Sequence, residues 1–464
     1  MFILAFGCGL ALLAILAAIV AVAMRPLWSE QRAELTIVAS TLAALMLLKC
    51  ALLPLFSGYP QDLEQFVLWG EAMARGPWHV YDPRYVCRYM PGYLYAWWPA
   101  VAVIREYIGY EVSPAIATTL SVTVRIPALI ADALLGLATL AWVRQLSDSA
   151  KRRTRDRFAV ACFALNPALI YTSLVWGQND SAVALGIMLA LLMACTDNFA
   201  LAGAAAALAV MAKLQGLIVL PILATWMLLK GRVRDWVLAT LAFFGVVIVT
   251  IAPFQIGRPW NFLPDVIASS ADYFPYTSLN AFNLMALAVG MRLRDSTQLL
   301  GISSYNVGLF LLIALVLIAI VLVVSAPTPR TLLYSSFLAY LGFFVLPTRI
   351  HERYLYFALA LLVPLALDSW ATLMMFGMLT ITFLLNQMVT LGYLMGDATF
   401  SDENRYAIPI ACINLAALAI AIAYGFYFTS KDRARWPQPL RAFMDPLTRT
   451  NPVVAKPKRP ARAH

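Results

Sequence analysis

The sequence predicts an all-α polytopic membrane protein, with about 13 transmembrane passes and a large first external loop carrying interfacial helices. Three observations predict it. The 464 residues are 62% apolar and only 12% charged, against roughly half and a quarter in a soluble domain. The mean hydropathy is +0.77. The apolar residues gather in runs that approach or exceed the ~20 residues needed to cross a bilayer as helix, with basic residues between the runs.

Residues 2–24 open the series. No basic stretch precedes them and no small-residue cleavage site lies ahead of Arg25, so they read as a retained helix rather than a signal peptide. Runs at 35–56, 199–229, 237–254, 307–324 and 407–428 are equally plain. Charge sets the orientation. Arg25 and Arg32, the run from Lys151 to Arg157, the cluster Lys230/Arg232/Arg234, Arg330 and the C-terminal tail belong on the cytoplasmic side. Residues 35–56 then run outward and 120–146 return, which leaves 57–119 outside. Within that loop the apolar stretch 93–104, rich in Tyr and Trp, reads as an interfacial or re-entrant helix.

The series continues outward through 158–175 and back through 181–196. Residues 199–229 hold two short passes that meet near 213–216, and 237–254 leads to a second external segment, 255–304. Passes at 305–324, 332–347, 354–367, 371–391 and 406–428 complete the bundle, with an external N-terminus and an internal tail. Residues 1–430 are thus one transmembrane catalytic domain with external loops 57–119 and 255–304. Residues 431–464 form a basic, Pro-rich cytoplasmic tail with the composition of disordered segments.

Composition also excludes. The net charge of +10 sits between passes and in the tail, where cytoplasmic loops account for it without nucleic acid. Six scattered cysteines, with no CxxC, HExxH or P-loop pattern, give no support to zinc, redox or nucleotide-binding chemistry. No pair of broken helices marks the two halves as a transporter's.

The unusual polar residues fall on the external side of this topology. Asp62 follows Pro60 at the start of a short amphipathic helix in which Phe66, Trp69 and Met73 recur at helical spacing. With Gln65 three residues later it fits a capping box, a purely structural role. A carboxylate favoured by the helix N-terminus is equally a base within reach of a hydroxyl. Glu64 is a candidate partner for a divalent cation, Mg or Mn, or an exposed helical residue with no role. Next comes an aromatic segment containing Tyr89 and Tyr93, suited to stacking on sugars or to anchoring at the headgroup layer.

Gln178-Asn179-Asp180, between two short apolar helices, is expensive unless it meets water or a ligand. Arg349, His351 and Arg353 lie at an outer boundary against the usual charge bias. They suit an anionic phosphate, or an Arg–Glu–Arg network through Glu352. Lys213 and Gln215 sit between two short passes, the lysine free to pair with Asp132 or to snorkel. Arg125 and Asp132 share a helical face and read as an ion pair or as caps for the loops.

Taken in order, Asp62, the segment from Tyr89 to Tyr95, Asn166-Pro167, Gly177-Gln178-Asn179-Asp180, Lys213-Leu214-Gln215, the segment from Ser278 to Leu284 and His351-Glu352-Arg353-Tyr354 resemble the C-type glycosyltransferases (GT-C). The resemblance is to bacterial relatives of the GPI-anchor mannosyltransferases and covers roughly residues 35–360. Met90 stands where that pattern has a proline, and Asp62-Leu63-Glu64 departs from Asp-x-Asp. The resemblance implies a GT-C-like bundle and an inverting membrane transferase with Asp62 as base. It implies a polyprenyl-phosphate-linked donor, often of mannose, and a glycan, lipid or protein acceptor. The place implied is the outer face of a bacterial inner membrane.

That chemistry needs a base for the acceptor hydroxyl and cations for a departing phosphate, around an oxocarbenium-like transition state. Arg349, His351, Arg353 and Lys213 are the candidate phosphate-binding groups, with Gln178, Asp180, Gln215, Tyr89 and Tyr93 as further substrate contacts. A surface-polysaccharide polymerase or ligase with a diphosphate-linked donor, and a lipid-linked-glycan flippase, are the alternative expectations.

Overall fold

The computed structural model describes residues 2–28, 32–108, 113–147, 152–256 and 262–430. The predicted basic tail lies outside the described residues. In chain order the helices are α1 (Phe2–Trp28), α2 (Arg32–Leu52), α3 (Pro60–Arg75), α4 (Pro91–Ile108), α5 (Pro114–Leu146), α6 (Arg152–Ala164), α7 (Pro167–Ile170), α8 (Asp180–Cys195) and α9 (Phe199–Ala212). Then follow α10 (Leu220–Lys230), α11 (Val233–Gln255), α12 (Phe262–Ala271), α13 (Leu284–Ala288), α14 (Ser304–Ser325), α15 (Pro329–Val345), α16 (Leu355–Leu362), α17 (Trp370–Leu394) and α18 (Asn404–Ser430). A two-stranded hairpin, Gln298–Leu299 with Ile302–Ser303, is the one sheet among the described residues. The fold is all-α and polytopic, as the apolar runs predict.

Each of the predicted passes falls on a helix, but the helices are of two kinds. Among the described residues seven are long and apolar enough to cross a bilayer alone: those at 3–25, 35–55, 115–146, 233–255, 304–325, 370–394 and 405–430. A bent pair, α6 with α7 and its continuation to Trp176, makes an eighth if counted as one span, with a 41° bend. The other predicted passes fall on α8, α9, α10, α15 and α16, which have 16, 14, 11, 17 and 8 residues. Hydropathy alone makes these look like independent spans. In the fold α8, α15 and α16 are buried nearly all round. They meet protein rather than lipid, so their length is freed from the bilayer thickness.

The long helices α1, α2, α11 and α14 instead leave most of their surface outside the protein core. Close approach between helices is made by glycine. A Cβ added at Gly203 of α9 would lie 2.1 Å from the carbonyl oxygen of Ala239 in α11. One at Gly92, at the start of α4, would lie 2.6 Å from the carbonyl oxygen of Met211 near the end of α9. The second contact brings the start of α4 down onto α9.

Gly203→Val should force α9 and α11 apart and lower stability by about 1–3 kcal/mol or more. A thermal-unfolding scan of the detergent-solubilised protein checks this, and an unchanged midpoint counts against the packing.

Candidate active site

Helix α3 starts with Pro60 at its first position, and the residue before it, Tyr59, makes no side-chain cap. Asp62 is therefore inside the first turn, not at the cap, and the capping box with Gln65 is not formed; Gln65 is exposed. The Asp62 carboxylate turns to another part of the chain. Its Oδ2 accepts from Trp176 Nε1 at 3.2 Å and from Gln178 Nε2. Leu63, Phe66, Trp69, Ala72 and Met73 fill the buried face of the helix and hold Asp62 at its edge. Glu64, two residues on, is exposed. Among the described residues no group of three or more His, Cys, Asp or Glu is placed to hold a metal ion.

Trp176 and Gln178 are delivered by a local distortion. Asn166 caps α7 by accepting from the amides of Ala168 and Leu169 at 3.0 and 3.1 Å, with Pro167 at the first helical position. The helix then widens to a π-turn over Tyr171–Trp176. Gln387 of α17 accounts for the widening: it accepts from Thr172 Oγ1 at 2.7 Å and donates to the Ala168 carbonyl at 3.1 Å. The turn closes at Gly177, φ +91°, where an added Cβ would meet Arg125 at 2.9 Å and Leu63 at 3.0 Å. Arg125 donates to the carbonyls of Phe56, Leu174 and Leu53 at 2.9, 3.3 and 3.3 Å. It therefore caps the two loops, the second of the roles its sequence position allows. Asp132 takes Lys49 at 3.3 Å, Ser173 at 2.7 Å and Tyr356 at 2.8 Å.

One residue past the turn, Asp180 opens α8 and gathers charge. Lys213 Nζ donates to its Oδ1 at 2.8 Å, and Arg353 Nε lies 3.9 Å from its Oδ2. Lys213 thus pairs with Asp180, not with Asp132. It lies in extended backbone at the end of α9, with its ammonium 5.3 Å from the centre of the Tyr89 ring. Tyr89 packs among Phe66, Trp69 and Trp97, and Tyr93 sits edge-on to Trp97 with its buried hydroxyl making no hydrogen bond. Gln215 is half-buried, and its carbonyl accepts from the Tyr340 hydroxyl at 3.0 Å. Its side chain is not part of the charged set.

Arg353 also donates to Glu352 at 2.7 Å, and His351 Nδ1 lies 3.8 Å from the other Glu352 oxygen. Burial opposes the charge on Glu352, but Arg353 and then His351 outweigh it and hold the carboxyl down at about 2. Burial, aided by the Arg353 charge, pushes the His351 imidazole below its ordinary value, so it is neutral at pH 7. Burial also opposes the charge on Arg353, and Glu352, Asp62 and Asp180 more than offset it. Asp62 is thus within electrostatic reach of both His351 and Arg353.

Arg349 behaves differently. In left-handed backbone, φ +64°, it reaches Asp295 and Asp272 at 2.6 Å each and the Ala271 carbonyl at 2.9 Å. It fastens the segment between α11 and α14 to the loop that carries His351. The segment around residues 278–284 does the same through the Leu279 backbone and the Asn283 side-chain amide. Leu279 N–H donates to the Ile350 carbonyl at 2.9 Å, and Asn283 donates to the carbonyls of Phe344 and Pro347 at 3.2 and 3.1 Å.

The structure therefore brings together Asp62, Gln178, Asp180, Lys213, His351, Arg353, Tyr89 and the donor Trp176. It leaves Glu64, Gln215 and Arg349 outside that set. Sequence reasoning assigned no role to Trp176 or to Gln387 beneath the turn, whereas the pairing of Arg353 with Glu352 is one half of the Arg–Glu–Arg network that it offered. A polar Gln387 within an otherwise apolar span was the available signal.

The sequence profile of glycosyltransferase family 87 matches residues 112–347, just over half of the chain. The chain belongs to glycosyltransferase family 87. None of the curated proteins matches it. Family 87 is of the GT-C type, so the resemblance read from the motifs and the all-α membrane fold agree with the match. The matched region takes in Gly177-Gln178-Asn179-Asp180 and Lys213-Leu214-Gln215. Asp62 and His351-Glu352-Arg353 lie on either side of it and join it through the contacts above.

Two outcomes are expected of this family 87 site. Lys213→Met or Asp180→Asn alone should cost about 3–5 kcal/mol by stranding a buried charge, while the double variant should recover much of the loss; a thermal-stability cycle measures both. Acid should also weaken the fold. The folded values of His351 and Glu352 lie below their ordinary 6.5 and 4.5. Their contributions are therefore complete above those values and fade as pH falls through them. Melting temperature should drop between pH 7 and pH 3, and Glu352→Gln, though less stable at pH 7, should show a flatter slope below about pH 5.

Proposed function

We propose that this glycosyltransferase moves a hexose, mannose first among the candidates, from a polyprenyl-phosphate donor to a glycan, lipid or protein acceptor on the non-cytoplasmic face. The observation that carries the reading is the Asp62 carboxylate. Trp176 and Gln178 both bond to Oδ2, which leaves Oδ1 for an acceptor hydroxyl. Asp62 takes the hydroxyl proton as the acceptor oxygen forms its bond to the anomeric carbon. The bond from that carbon to the phosphate oxygen breaks with its electron pair, and the lipid phosphate departs as an anion without a general acid. Attack opposite the leaving group inverts the centre. Arg353 and Lys213 are the cations for the developing phosphate charge, and His351 is a neutral hydrogen-bonding neighbour. Arg349 serves indirectly, by holding the loop that presents His351 and Arg353.

Charge placement supports the orientation. Asp180 and Lys213 stand at one end of α8 and α9, whereas Lys230, Arg232 and Arg234 follow at the opposite end of the adjoining passes. Multi-pass placement in a bacterial inner membrane, with the site facing the periplasm or exterior, is the corresponding localisation.

The test is purified protein with a panel of polyprenyl-phosphate sugars and a diphosphate-linked control donor. Asp62→Asn should retain donor binding and lose transfer by roughly 10²–10⁴-fold; transfer at the wild-type rate removes the base assignment. Arg353→Ala should weaken donor binding, and use of the diphosphate-linked donor alone would identify a polymerase or ligase instead.

A further inference from the structure

The turn ahead of α8 holds polar atoms that the network above does not use. Asn179 stands at the N-cap of α8, where an asparagine ordinarily accepts from the first amides of the helix, yet its side chain makes no such bond. Its Oδ1 and Nδ2 are both buried without a hydrogen-bond partner, in a residue only 2% exposed. Beside it Gln178, 1% exposed, gives Nε2 to Asp62 and leaves Oε1 unpaired. Such groups are costly to bury unpaired, and their concentration calls for a ligand that satisfies them. The flanking side chains tie this turn to the reacting groups, Gln178 to Asp62 and Asp180 to Lys213.

The chemistry of the unpaired atoms selects the ligand. An amide offers two donors and an acceptor in one plane, and the Gln178 oxygen adds a second acceptor. A phosphate would satisfy only the donors, and an isoprenoid chain would satisfy none of them. Neighbouring hydroxyls of a pyranose, each able to donate and to accept, satisfy both kinds.

We propose that Asn179, together with Oε1 of Gln178, reads hydroxyls of the transferred hexose and so sets which sugar the enzyme accepts. This rests on the polyprenyl-phosphate reading above and adds to it the part of the site that recognises the sugar. Asn179 is a specificity-determining residue in this assignment, distinct from the base and from the phosphate-binding cations.

The experiment uses the full-length wild type and Asn179→Ala in detergent. The donors are polyprenyl-phosphate mannose, glucose and galactose, and the monodeoxy forms of whichever hexose the wild type transfers. Asn179→Ala should raise the donor KM roughly tenfold to a hundredfold on the complete hexose. On the deoxy donor that lacks the hydroxyl met by Asn179 the penalty should shrink to about threefold or less, while the other deoxy donors keep it. The melting temperature without donor should hold or rise, because an unpaired buried amide is removed. Asn179→Ser gives the same pattern should the alanine variant fail to fold. An unchanged KM on the complete hexose, or one uniform penalty across all deoxy donors, overturns the assignment. Wild-type transfer from none of these hexoses overturns the donor reading and this assignment with it, a result separable from either of the first two.

Discussion

Asp180 carries the constraint on which the site depends. Its carboxylate holds Lys213 from the end of α9 and stands beside Arg353 from the loop ahead of α16. Arg353 is in turn held by Glu352, and Asp180 follows directly on the turn that binds Asp62. Charges this deeply buried survive only when paired, because each lone charge carries a desolvation cost of several kcal/mol. The pairing therefore fixes where α8, α9 and the His351 loop meet. It also sets Asp62, on α3, at a defined place within electrostatic reach of Arg353.

The polar cluster is tolerated because its frame is apolar and close-packed. Helices α8, α15 and α16 are enclosed on nearly every side, and glycines at 92 and 203 let backbones approach where a side chain would collide. Arg125 and Gln387 do the finer work, one capping carbonyls of two loops and the other stabilising the π-turn. A turn fixed from three sides keeps Trp176 and Gln178 on one oxygen of Asp62. In the proposed reaction that rigidity would hold Asp62 within hydrogen-bond reach of the proton it removes.

Much of this was readable in the residues. Each apolar run falls on a helix, and the meeting of two short runs near 213–216 corresponds to the break between α9 and α10 at Leu214–Val219. The motifs singled out Asp62, Asp180, Lys213 and Arg353, which do converge. Arg349 shows the limit: its charge and position match those of Arg353, yet Asp272 and Asp295 occupy it. Those partners lie 77 and 54 residues away in the chain, and no local pattern announces them.

The sequence by itself determined the membrane fold, the number of apolar runs and the types of side chain available for chemistry. These follow from composition and periodicity, which are local properties of the chain. Tertiary structure alone decided which runs face lipid and which are enclosed, that Lys213 answers Asp180 rather than Asp132, and that Asp62 is bound through Oδ2 instead of capping its own helix. Each of these is a choice among competing partners of similar chemistry. It is settled by distance and desolvation, and both exist only once the helices have packed.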